Sequence, residues 1–143
     1  MPSIISYRKV TDAYTTHALR LPDGATELAT VDGITFVSLP DGATLPEGQP
    51  EQIEAQAAPL TAEQRDAIRA ASPHVKLIGQ RVVDHIRAMY SPDDEMYLAR
   101  IGTGAALGVY ELEAGEREEL ARYQAHVEAC REWGRAQRVA LGV

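Results

Sequence analysis

The chain has 143 residues, 45% of them hydrophobic, and a formal net charge of −7 at pH 7, which is the composition of a folded protein and excludes a disordered tail. Residues 1–59 carry three basic and eight acidic side chains and residues 60–143 eleven and thirteen, so neither part attracts a phosphate backbone and nucleic acid is excluded as an expected partner. No apolar run reaches the roughly 18 residues of a spanning helix, and no basic stretch with an apolar core opens the chain, so neither membrane insertion nor signal-directed export is expected.

The first 39 residues read as a small antiparallel β module. Leu21-Pro22-Asp23-Gly24-Ala25-Thr26 and Leu39-Pro40-Asp41-Gly42-Ala43-Thr44 form a near-repeat built of turn chemistry: proline presets φ, aspartate caps the turn and glycine accepts positive φ. Asp32-Gly33 lies between the copies and predicts a tight hairpin joining 26–31 to 34–39. With 15–21 these segments predict a three-stranded meander, Ile34 and Phe36 facing one way and Val37 and Leu39 the other. Ser3–Val10 is expected as a fourth strand. From 40 to 60 the chain holds prolines at 40, 46, 50 and 59 and few large apolar groups, the pattern of an extended linker or a strap. A strap unpaired in its own domain would find its backbone partners on another subunit.

Residues 61–143 read as a helical domain of about four helices, making the whole chain α+β. Thr61-Ala62-Glu63-Gln64 fits a capping box for a helix ending near Ala71, and Ser72-Pro73 starts a second. Its stripe is Val75, Ile78, Val82, Ile86 and Met89, at spacings of three and four. Ser91-Pro92 starts a third helix, placing Asp93, Asp94 and Glu95 on its positive end; it is expected to stop near Gly102, with 102–108 as a loop. The longest helix is expected over 116–141, with Leu120, Tyr123, Val127 and Cys130 on one seam and Glu118–Arg122, Glu128–Arg131 and Glu132–Arg135 as surface pairs.

No set of residues reads as an active site, and no catalytic, cofactor-binding or metal-ligating residue is assigned. Gly102-Thr103-Gly104-Ala105-Ala106-Leu107-Gly108 lacks the preceding strand, the following Lys-Ser/Thr and the glycine spacing of phosphate-binding loops. His126 and Cys130, four apart on one helix face, are two ligands where a zinc site needs three or four. Cys130 as a nucleophile would need a base and an oxyanion site, which the sequence does not locate. As the sole cysteine it forms no internal disulfide, consistent with a reducing compartment.

The helical half also holds most of the large aromatics and the arginines, the residue types that anchor interfaces. Tyr90, Tyr97, Tyr123, Trp133 and Arg135 are therefore the candidate interface residues. Two small modules poor in large aromatics would each be weakly stable alone, and association is the natural remedy.

The stretch Arg81-Val82-Val83-Asp84-His85-Ile86-Arg87-Ala88-Met89-Tyr90-Ser91-Pro92-Asp93-Asp94-Glu95, followed by Tyr123-Gln124-Ala125-His126-Val127-Glu128-Ala129-Cys130-Arg131-Glu132-Trp133-Gly134-Arg135, resembles small proteins of tailed bacteriophages encoded near the tail-fibre and baseplate components. The resemblance covers 72–143, about half of the chain. It implies a non-enzymatic structural protein of the virion, an adaptor or attachment component in the tail, baseplate or tail-fibre region, made in the host cytoplasm. A tail-fibre assembly chaperone is the alternative. Implied partners are other tail, baseplate or fibre proteins and further copies of the chain, a trimer by analogy with three-fold fibres.

Overall fold

In the computed structural model, which describes residues 1–57 and 59–143, an antiparallel β region precedes four helices. Along the described residues the elements are β1 (Ser3–Tyr7), β2 (Val10–Thr11), β3 (Thr16–His17), β4 (Thr26–Val31), β5 (Ile34–Leu39), a 3₁₀ turn (Glu51–Ile53), β6 (Gln56–Ala57), α1 (Ala62–Ala71), α2 (Pro73–Arg87), α3 (Pro92–Ala106) and α4 (Ala114–Ala140). They divide into two compact units: Met1–Ile78 with Ala136–Val143, and Gly79–Arg135. The ends of the predicted helical half, 61–78 and 136–143, thus belong to the unit that holds the sheet.

Turn chemistry sets that sheet. Asp32 and Gly33 take φ of 52° and 77°, the paired left-handed residues of a type I′ hairpin turn, and they join β4 to β5. The two Pro-Asp-Gly copies close equivalent turns, with Ala25 N–H donating to Pro22 and Ala43 N–H to Pro40. The predicted meander is corrected at 15–21. β5 pairs with β1 over Ser3↔Leu39 to Tyr7↔Thr35, giving the order β4-β5-β1-β6. Of 15–21 only Thr16–His17 is strand, paired with β2 in a separate two-residue ribbon. The alternation in β1, with Ile4 and Ile5 buried on opposite faces, lets it sit mid-sheet and bury both sides, which the polar 15–21 stretch could not do.

Each face of the sheet has its own core. Ile4, Leu28, Ala29 and Phe36 pack with Ile68 of α1 and with Val143. Ile5, Tyr7, Val37 and Leu39 pack with Leu19 and Ile53 on the other face. Ile53 comes from the predicted linker and is fully buried; that segment is a strap laid on its own sheet, its β6 pairing with β1 and its Ile53 carbonyl accepting from Arg8 N–H at 2.9 Å. Of the 40–60 stretch, Ala58 lies outside the described residues.

Capping fixes the helix starts. Thr61 Oγ1 accepts from Gln64 N–H at 3.1 Å while Gln64 Oε1 accepts from Thr61 N–H at 3.0 Å. Ser91 and Asp94 form the same reciprocal box on α3, which holds the Asp94 carboxyl below the usual carboxylate range, the Ser91 N–H being the main cause. One residue, the fully buried Ser72, separates α1 from α2. The expected end of α3 near Gly102 is corrected: the helix continues to Ala106. Gly102 and Gly104 are helical residues whose missing side chains admit neighbours, since a Cβ on Gly102 would lie 3.3 Å from Leu120 Cδ2 and one on Gly104 3.0 Å from Tyr110 Cβ.

Candidate docking surfaces

The helical unit, Gly79–Arg135, buries few residues fully: Leu98, Ile101, Cys130 and Gly134. Several large apolar side chains of the same unit stand in solvent, among them Met89 (65% exposed), Met96, Leu107 (73%) and Val109 (79%). These side chains make the unit's apolar surface the candidate for docking.

Part of that surface is a shallow hollow of about 420 Å³ between the end of α2 and the middle of α4, lined by His85, Ala88, Met89, His126, Ala129, Cys130 and Trp133. Aromatic contacts hold its walls. The His85 and Trp133 rings meet edge to face at 4.9 Å, and Tyr90 meets Tyr123 at 5.0 Å with an interplanar angle of 72°, both within the favourable range for aromatic pairs. Tyr123 Oη donates to Glu95 Oε1 at 2.9 Å; burial and then this bond keep the phenol protonated to higher pH than usual.

His126 Nε2 lies 3.0 Å from the His85 carbonyl oxygen and 3.6 Å from Cys130 Sγ. A carbonyl oxygen only accepts, so Nε2 carries the proton. The contact orients the imidazole against α2. Among the described residues no group of three His, Cys, Asp or Glu side chains stands close enough to hold a metal ion.

Of the sequence-derived interface residues, Trp133 lines the hollow, while Tyr90 and Tyr123 are half-buried against each other. Tyr97 is exposed on α3. Arg135 reaches back along its own helix, Nε at 3.0 Å and Nη2 at 2.7 Å from Glu132 Oε2, with Nη2 also on Glu128. This double bridge takes the place of the separate Glu128–Arg131 pair expected from spacing alone, because Arg135 spans both carboxylates.

Two features went unread in the sequence. The first is an ordered apolar tip after α3. Gly108, at φ 72°, ends the helix, and Val109 and Tyr110 N–H both donate to the Gly104 carbonyl, at 3.0 and 3.2 Å, which fixes Leu107 and Val109 outward. Tyr110 Oη donates to Glu116 Oε1 at 2.8 Å, and Glu116 Oε2 is buried with no partner among the described residues. The signal was present in the pattern Leu-Gly-Val, two apolar residues around a helix-ending glycine.

The second feature lies in the sheet unit. A hollow of about 430 Å³ is walled by Pro2, Ile4, Leu60, Val139 and Val143 and bordered by Arg65 and Arg69, which stand four apart and so on one side of α1. Arg69 has only a long contact to Asp66, at 3.8 Å, and Arg65 has no ion pair among the described residues. Spacing alone does not reveal it, because its apolar wall is assembled from distant segments. Comparisons with known protein families, characterised proteins and solved structures find no match to the chain.

Proposed function

We propose that the chain is a non-enzymatic structural protein of a tailed phage particle, an adaptor that works by docking in the tail, baseplate or tail-fibre region. The observation that carries the docking role is the helical unit's exposed apolar surface, held in place by ordered contacts: the hollow at Met89 and Trp133 and the fixed tip at Leu107 and Val109. Pre-set apolar groups bind without the cost of ordering them at the moment of association. The placement in a phage tail rests on the resemblance of residues 72–143. Among the described residues no helix is long and apolar enough to cross a membrane.

The test is the composition of purified particles. The chain is expected there at a fixed copy number relative to a tail protein, and Met89→Asp, which alters an exposed side chain, is expected to lower incorporation with little change in thermal stability. A chain that binds the fibre during assembly and is missing from finished particles would identify the assembly chaperone instead. A turnover abolished by Cys130→Ser with the fold intact would overturn the non-enzymatic reading.

A further inference from the structure

The two features that the sequence left unread match each other. The tip presents Leu107 and Val109, followed by Glu111 and Glu113, exposed carboxylates that form no ion pair among the described residues. The hollow in the sheet unit presents an apolar wall bordered by Arg65 and Arg69. One is an apolar knob with an acidic flank and the other an apolar recess with a basic flank.

We infer that the tip of one copy docks into the arginine-bordered hollow of a second copy, Leu107 and Val109 entering the recess and Glu111 and Glu113 pairing with Arg65 and Arg69. This rests on the docking reading above and supplies its partner. Charge complementarity selects the occupant: the guanidinium fork suits carboxylates at interfaces, and the tip carries them beside the apolar groups the recess needs. The volume, about 430 Å³, falls in the range of recesses that enclose ligand-sized groups, enough for a leucine and a valine side chain. The tip also arrives pre-formed, because the Gly104 carbonyl holds its backbone. Since knob and recess are different surfaces, the contact is head to tail, and a pair joined this way keeps one free tip and one free recess.

Sedimentation velocity of the full chain from about 10 μM to about 1 mM covers the affinities expected of a contact this small. The wild type is expected to gain mass with concentration. Leu107→Ser with Val109→Ser, at exposed positions, and separately Arg65→Glu with Arg69→Glu, are each expected to weaken self-association by at least about tenfold, as loss of a central anchor does. Mixing the two variants is the decisive arm: each retains one working surface, so the mixture is expected to form a one-to-one complex and stop there. Combining Glu111→Arg and Glu113→Arg with the reversed arginines is expected to restore self-association.

A wild type that stays monomeric over the whole range would overturn the inference, as would a tip variant that self-associates like the wild type. Decanoate, an apolar carboxylate, is the probe for the competing occupant. Its binding to a chain that remains monomeric would assign the hollow to a small anion and likewise overturn the inference. Particle composition separates the two levels. A chain present in particles but monomeric in solution fails here and leaves the adaptor reading intact; one that self-associates as described but never enters particles does the reverse.

Discussion

Gly102 and Gly104 sit two residues apart in α3, and their surroundings give substitution opposite signs. Alanine in a helix interior is worth about 1 kcal/mol over glycine. At Gly102 the new methyl would meet Leu120 Cδ2 and Cδ1 at 3.3 and 3.4 Å, the far end of a flexible side chain that can turn aside. At Gly104 it would meet Tyr110 Cβ at 3.0 Å, an atom attached to backbone whose N–H donates to the Gly104 carbonyl and which therefore cannot retreat. Overpacking of that kind costs roughly 1–3 kcal/mol. Gly102→Ala is expected to stabilise by about 0.5 kcal/mol and Gly104→Ala to destabilise by about 1 kcal/mol or more. Urea unfolding of the two variants checks the sign; stabilisation by both would mean that the tip backbone is less firmly held than its hydrogen bonds imply.

Among the elements, α2 shows how a weakness can be local and removable. Gly79 lies within the helix, its added Cβ would meet nothing within 4 Å, and its φ is not positive. Gly79→Ala is therefore expected to raise stability by about 1 kcal/mol. Thr61→Ala, which breaks the reciprocal box at the start of α1, is expected to cost about 1 kcal/mol. Denaturant midpoints at unchanged slope check both. These local devices are also the part of the fold that was legible: capping boxes and Asp-Gly turns are written within four residues. The β1–β5 pairing was not legible, since it joins Ser3 to Leu39 and turns on which distant strand buries both faces. The extension of α3 through two glycines was hidden for a similar reason, because the glycines answer to Leu120 and Tyr110 and not to their neighbours in sequence. Of the residues at the two apolar features, Trp133, which lines the hollow on α4, was singled out by residue type. Leu107 and Val109 carried only the weak signal of apolar residues around Gly108, which the glycine-rich loop pattern masks until the Gly104 carbonyl is seen to order the stretch.

At the scale of the whole chain, the two units carry separate alkaline reporters. Burial raises the Tyr7 phenol above its ordinary value of 10.0, and the charge of Glu27 adds to the effect. In the helical unit burial raises Tyr123, followed by its bond to Glu95. A phenol that ionises later in the folded than in the unfolded chain contributes stability that is complete below the unfolded value. That stability is lost as pH rises through the folded one. Unfolding free energy is therefore expected to lose no phenol contribution below about pH 9 and to fall above about pH 10, with Tyr7→Phe and Tyr123→Phe each making the fall shallower. Helices α2 and α4 both contribute residues to both units, so loss of helix in one unit removes ordered residues from the other. On the strength of these shared helices, both substitutions are expected to act on one transition. Unfolding followed at pH 7, 9, 10 and about 11 by far-UV and near-UV signals tests this. Two separable alkaline transitions, one answering to Tyr7→Phe and the other to Tyr123→Phe, would show that the continuous helices do not couple the units.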